Sequence, residues 1–263
     1  MKNLVLSTLI AAAASQAAGC IITSDDDGGG LGDIRVTWNL KSTDVSQRDP
    51  QHPNISLNPD VTAGCPAGAD TVMLFALPVG APPSTAFKDA YSCTDGSGVI
   101  GDLEPGQYTV WAQITDHPGT TKFAESFSQD LTVFAGNVTS SPFDIYVDRG
   151  FFFLGWTLNR GGAQSCASIP NHGVSVLSTD GGGAAVGFED LIDCEAGEGQ
   201  KTISQPLPVR PAAAGMTASY TVALSLLNAL DQSIGESADI PSRTFDNYGG
   251  AVNDLGVIQI NVR

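Results

Sequence analysis

Asp33-Ile34-Arg35-Val36-Thr37-Trp38-Asn39-Leu40 is the stretch that decides the fold. Ile34, Val36, Trp38 and Leu40 alternate with polar neighbours, the period of two that marks a strand buried on one face. The pattern returns at Phe152, Leu154, Trp156 and Leu158, and other landmarks return with it. Trp38-Asn39-Leu40 answers Trp156-Thr157-Leu158, and Tyr108-Thr109-Val110 answers Tyr220-Thr221-Val222. Cys65 and Cys93 stand 28 positions apart, as do Cys166 and Cys194; Phe143, Ile145 and Val147 answer Ile258, Ile260 and Val262. Four landmarks in one order indicate a duplicated domain, with a period of domain size rather than that of a solenoid repeat.

Further strands are expected at Val72 to Ala76, Tyr108 to Ile114 and Phe127 to Val133, with a Pro105-Gly106 turn before Tyr108. Ala212 to Gln232 has helical propensity, but its repeat partner from Tyr108 onward shows no helical pattern, so Tyr220 to Leu226 reads as strand. Many short strands and turns in each copy predict an all-β chain of two tandem β-sandwich domains, over 33–148 and 149–263. Val147 to Gly150 leaves little linker, so the two copies should hold a fairly fixed relation.

Composition narrows the function. The chain has 263 residues, 12 Lys and Arg against 28 Asp and Glu, and a formal charge of -16. Such a polyanion repels phosphate backbones, which argues against a nucleic-acid partner. Hydrophobic residues make up 42%, enough for a core, and Gly 30 with Pro 15 favours turns over long helices.

Residues 1–19 read as a signal peptide: Lys2, then an apolar run from Leu4 to Ala14 too short to span a bilayer. Ala17-Ala18-Gly19-Cys20 resembles the lipobox of bacterial lipoproteins, with Ala17 where that family prefers Leu. The resemblance implies cleavage after Gly19, lipidation of the Cys20 sulfur and anchoring to the membrane through acyl chains. By the same likeness, Ile21 after the lipid-bearing Cys points to the outer membrane. Residues 20–32, with Asp25-Asp26-Asp27-Gly28-Gly29-Gly30, form an acidic Gly-rich tether; adjacent aspartates do not match the alternating ligands of a calcium loop.

Five cysteines is an odd count that Cys20 explains. The remaining four predict the disulfides Cys65–Cys93 and Cys166–Cys194, since the chain is expected to be exported and the spacing repeats. Zinc fits poorly: there is no C-x-x-C, and His52, His117 and His172 do not occupy equivalent places. No cofactor or metal is expected.

Gly96-Ser97-Gly98-Val99-Ile100-Gly101 matches G-x-G-x-x-G, but Asp102-Leu103-Glu104-Pro105 opens no helix, so the stretch reads as a turn. Asp116-His117-Pro118-Gly119 reads as a polar turn, and Trp38 and Trp156 as core anchors. Glu189-Asp190 with Glu195 is a candidate carboxylate group, though adjacent acids on a β domain are more often a solvated face. No catalytic residue set assembles.

The order W-x-L, Cys, strand, Cys, Gly-rich turn, G-x-Y-T-V resembles bacterial lipoproteins with immunoglobulin-like or transthyretin-like sandwich domains; in the second copy the Gly is displaced to Gly215, ahead of Tyr220. The resemblance implies architecture and location, not an activity. The expected function is a non-catalytic binding, adhesion or structural module of the cell envelope, with an envelope protein or glycan as ligand. The rival is an enzyme acting on glycan or peptide through loop carboxylates. The first copy carries extra residues within Lys41 to Gly64, including Arg48, His52 and Asn54. As a surface loop they are a place to look for binding, and their removal should leave the fold intact.

Overall fold

The computed structural model describes residues 30–180, 187–209, 219–246 and 248–263. The signal sequence, Cys20 and nearly all of the tether lie outside these, as do residues 212–218 of the helix-like stretch. Among the described residues no helix is long and apolar enough to cross a membrane.

The first half contributes β1 (Gly32–Thr43), β2 (Ile55–Ser56), β3 (Asp60–Thr62), β4 (Thr71–Pro78), β5 (Phe87–Ser92), β6 (Ser97–Leu103), β7 (Gly106–Thr115), β8 (Lys122–Glu125), β9 (Gln129–Val133) and β10 (Val138–Tyr146). The second contributes β11 (Arg149–Asn159), β12 (Ala163–Gln164), β13 (Gly173–Asp180), β14 (Gly187–Ile192), β15 (Thr202–Ile203), β16 (Leu207–Pro208), β17 (Ser219–Leu227), β18 (Ser233–Glu236), β19 (Ile240–Thr244) and β20 (Val252–Val262). Tyr220 to Leu226 is strand, as its repeat partner predicts. Phe127 is not part of β9, and Gly96 to Gly101 is mostly strand β6 rather than a turn. Gly98 serves packing there: a Cβ would strike the Tyr91 ring at 2.5 Å.

Each half is a sandwich. In the first, β1 pairs with β10 in parallel and with β6 and β3 antiparallel. Facing it is the sheet β5-β4-β7-β8, with β9 also on β7. In the second, β11 pairs with β20 in parallel, and β14-β13-β17 forms the facing sheet. Strand β18 pairs with both β17 and β20 and joins the two sheets. The alternating residues fill two cores. Ile34, Val36, Trp38, Leu74, Ile114 and Phe143 lie in one, and Phe152, Leu154, Trp156, Val176, Tyr220 and Ile260 in the other.

The repeat extends to single hydrogen bonds. Trp38 Nε1 donates to the carbonyl of Cys93 at 3.2 Å, and Trp156 Nε1 to that of Cys194 at 2.9 Å. Tyr108 donates its hydroxyl to the carbonyl of Glu104, and Tyr220 to that of Pro208. Ser126 Oγ accepts from the amide of Ala112, and Ser237 Oγ from that of Leu224.

The halves interlock. Only Val147 and Asp148 separate β10 from β11. Phe151 meets Phe127 and Tyr146 edge-on, with centroids 4.8 and 5.3 Å away. The amide of Glu125 donates to the carbonyl of Gly249 at 2.9 Å, and Gly249 donates to Phe123 at 2.8 Å. The Lys122 ammonium sits 3.6 Å over the Tyr248 ring.

Candidate functional site

The extra residues of the first copy are not a free surface loop, contrary to the expectation from sequence. They fold back as a small hairpin: Asp49 donates its amide to Ile55 at 3.0 Å and Leu57 to Gln47 at 3.1 Å. The Asp44 carboxylate accepts the Ser46 amide and hydroxyl at 2.9 and 2.6 Å, fixing the entry. The hairpin then docks on the second sandwich. β2 adds in parallel to the edge of β14, pairing Ile55 with Gly187 and Ser56 with Phe188, and the Gly187 amide donates to Asn54 at 2.8 Å. Gly187 allows this approach, because a Cβ there would meet Ile55 Cδ1 at 2.6 Å.

Buried polar groups hold the hairpin's base. Asn58 Nδ2 donates to the carbonyl of Pro206, and Asn58 Oδ1 accepts from the Thr43 hydroxyl. Arg149, 7% exposed, donates from Nε to Thr43 Oγ1 at 2.5 Å and from Nη2 to the Thr43 carbonyl at 2.6 Å. Burial pulls the Arg149 pKa below its usual value, yet a guanidinium remains charged at any working pH. Val45 packs against the second core. The insertion is therefore a structural strap between the sandwiches.

The strap walls a groove of about 480 Å³. Leu191 and Leu227 line it from the second sandwich, and Ile55 and Leu57 from the strap. Two histidine–aspartate pairs stand at its rim. His52 Nδ1 lies 3.0 Å from Asp49, and His172 Nδ1 lies 2.6 Å from Asp231. The Asp49 hydrogen bond raises the His52 pKa, with a smaller contribution from Glu189, and His52 in turn holds Asp49 below the usual carboxylate range. The groove is an open concavity in which four aliphatic side chains stand beside seven polar or charged residues, so its walls are mixed rather than apolar. Among the described residues no group of three His, Cys, Asp or Glu side chains is placed to hold a metal ion.

The structure joins Cys65 to Cys93 and Cys166 to Cys194, with Cα separations of 6.2 and 5.7 Å. The candidate carboxylates are dispersed. Glu189 and Asp190 are successive residues of β14 and so face opposite sides of the sheet. Glu189 accepts from the Ser175 hydroxyl at 2.5 Å, Asp190 from the Gln205 amide at 2.8 Å, and Glu195 lies on the short helix α1 (Cys194–Gly197). They do not converge on one bond. Asp116 closes its turn by accepting from the amides of Thr121 and Thr120, which lowers its pKa to about 2.

His52 reaches the groove; Arg48 instead turns back to the Val45 carbonyl, and Asn54 contributes its backbone. A repeat signal that sequence reading missed runs along the edge strands. Phe87-x-Asp89-x-x-x-Cys93 matches Phe188-x-Asp190-x-x-x-Cys194, which makes β5 and β14 equivalent.

No family model matches the chain, and no curated protein matches it. Among solved structures it is similar to a protein assigned to cell adhesion from Parabacteroides distasonis ATCC 8503, at 8% identity over 87% of this chain and 89% of that chain, with a TM-score of 0.30. It is also similar to a protein assigned to polysaccharide binding from Bacteroides thetaiotaomicron VPI-5482, at 12% identity over 80% of each chain, with a TM-score of 0.28. A third is the TIE protein of Bacillus anthracis, at 12% identity and a TM-score of 0.28; the match covers 89% of this chain but 34% of that one, so the chain spans about a third of its length. At these TM-scores the likenesses carry no argument about function.

Proposed function

We propose that this chain is a lipid-anchored envelope protein whose two sandwiches, over 33–148 and 149–263, act as a non-catalytic binding module. The observation that carries the binding reading is the strap. A polar segment of one sandwich is fixed as a strand on the other and walls a preformed groove. A groove built before the ligand arrives spares the entropy of ordering loops on binding. Its ligand is an envelope protein or a glycan.

The anchoring half rests on the run Ala17-Ala18-Gly19-Cys20 after a short apolar segment. We assign cleavage after Gly19, lipid on Cys20 and the outer membrane as the location, with residues 20–32 as the spacer.

The groove is tested with the chain from Ile21 onward as bait, against envelope extract and against immobilised oligosaccharides. Leu191 is 46% exposed, so Leu191→Arg should abolish capture while leaving the thermal midpoint unchanged. Capture that survives Leu191→Arg would place the ligand elsewhere. Mass spectrometry of the native N-terminal peptide tests the anchor: an unmodified Cys20, or cleavage at another bond, overturns it.

A further inference from the structure

Strand order sets which loops share an end of the first sandwich. β1 starts beside the start of β10, with Asp33 opposite Val138. β9 ends where β7 begins, with Val133 opposite Gly106, and β4 ends beside the same stretch, with Pro78 opposite Tyr108. The start of β1, the β4–β5 loop, the β6–β7 turn and the β9–β10 turn therefore lie together. Backbone bonds tie them. Gly136 donates to the Leu31 carbonyl at 3.0 Å, Asp33 to that of Asn137 at 2.9 Å and Val79 to that of Gln107 at 3.0 Å. Because β10 runs parallel to β1, the chain leaves at the opposite end, where the second sandwich begins.

The entry end is apolar and exposed. Leu31, Val79, Phe87, Phe134 and Val138 are between 41% and 60% exposed, and they are five of the 13 large hydrophobic side chains that the described residues turn to solvent. Single exposed hydrophobics are ordinary; their concentration on the loops of one end is not. Val79 to Phe87 and Phe134 to Val138 contain no charged residue. The Phe87 ring lies 6.3 Å from that of Tyr108, whose hydroxyl bonds the Glu104 carbonyl in the β6–β7 turn, so Phe87 belongs to this end.

The corresponding end of the second sandwich is covered. Its β19–β20 loop answers the β9–β10 turn, and there Gly249 exchanges backbone hydrogen bonds with Phe123 and Glu125 of the first sandwich. A Cβ on Gly250 would strike the Glu125 carbonyl, so the two chains meet without a gap. The second sandwich thus rests its entry end on what precedes it in the chain. In the first copy the loop that answers this one, Phe134 to Asn137, is exposed throughout.

We propose that the entry end of the first sandwich rests on the lipid surface, with Leu31, Val79, Phe87, Phe134 and Val138 entering the headgroup region. The proposal rests on the lipid anchor at Cys20 proposed above. Ten residues separate Cys20 from Gly30, where the described chain begins, and they span at most about 35 Å. The link joins the sandwich at Leu31, within the apolar end itself, so the bilayer is the surface this end must meet. A covalent link of that length gives an effective concentration of order millimolar, and weak apolar contact then suffices. Asp33, Asp102 and Glu104 stand against Lys88 beside these loops, so the contact is apolar and favours zwitterionic over anionic headgroups.

The test couples the chain from Cys20 onward, through the Cys20 sulfur, to a maleimide-bearing lipid in vesicles of phosphatidylcholine and phosphatidylethanolamine. The other four cysteines are held in disulfides. Brominated phosphatidylcholine in the vesicles quenches tryptophan that enters the bilayer. The emission added by Phe134→Trp should fall by about half, and that added by Val257→Trp, on the second sandwich, should not change. Leu31→Ser with Val79→Ser, both at exposed positions, should restore the Phe134→Trp emission and leave the thermal midpoint unchanged. Phosphatidylglycerol in the vesicles should lessen the quenching. No quenching at position 134, equal quenching at 257, quenching that survives the two serines, or quenching that grows with phosphatidylglycerol overturns the proposal. So does a dimer in sedimentation of the chain from Ile21 onward that Phe134→Ser dissociates, since a second copy would then cover this end. The coupling supplies the lipid whether or not the cell does, so failure here is failure of the surface, whereas an unmodified native Cys20 is failure of the anchor.

Discussion

The indole nitrogen of Trp156 donates to the carbonyl oxygen of Cys194 at 2.9 Å, so a side chain of β11 in one sheet is fastened to the disulfide at the end of β14 in the other. Both residues are fully buried, 0% and 1% exposed, so water cannot replace the bond. Trp156→Phe keeps the aromatic bulk and leaves a buried carbonyl unpaired. It should cost about 1–3 kcal/mol in urea unfolding followed by circular dichroism. An unchanged denaturation midpoint would show that the carbonyl finds another donor.

Arg149 spans the junction. Arg149→Ala leaves the Thr43 carbonyl without its guanidinium donor and removes a charge-assisted bond between the sandwiches. The chain should unfold calorimetrically as one cooperative unit, and the variant as two separable transitions, the earlier lowered by several degrees. A single transition in the variant would mean that the strap and the Phe127–Phe151 contact suffice.

The disulfides should be reduced in a fixed order. Cys166 and Cys194 are buried at 1% exposure each, whereas Cys65 is only partly buried. Graded reductant with alkylation and mass spectrometry should label Cys65 and Cys93 first. Each bridge spans 28 positions, so losing either should cost about 3.5 kcal/mol on chain-entropy grounds.

Asp190 gives a pH signature. Burial raises its carboxyl pKa, outweighing the Gln205 hydrogen bond that lowers it. The folded state therefore holds this proton more tightly than the unfolded state does. The group's contribution to stability falls as pH rises through the raised value, and the loss persists at neutral pH. Asp190→Asn keeps an oxygen for the Gln205 amide and carries no charge to bury. Its thermal midpoint should exceed that of the parent at neutral pH, and the gap should close on acidification through the ordinary carboxylate range, about pH 4. A gap that widens in acid would reverse the assignment.

The duplication and most long strands were legible because alternation at Ile34–Leu40, Phe152–Leu158 and Tyr108–Ile114 records burial on one face. Strand partners were not legible, since alternation at β1 does not say that β10 lies beside it in parallel. The groove was hidden for a related reason. It depends on β2, two residues long, too short for any periodicity, meeting β14 more than a hundred positions away. The spare polar residues of Lys41–Gly64 looked dispensable because Asn58 and Thr43 are polar, and composition cannot distinguish a solvated side chain from a buried one with partners. The Phe-x-Asp-x-x-x-Cys match was present in the sequence and would have paired β5 with β14.

The parallel pairing of first and last strands has a mechanical consequence. β1 and β10 run alongside each other over nine residue pairs, and β11 and β20 over another nine. Tension applied along the chain pulls the start of the first strand and the end of the last in opposite directions, parallel to the strands. The rungs then bear load together in shear instead of peeling one after another. Each sandwich is a link whose strongest direction is the one along which the chain would be stretched.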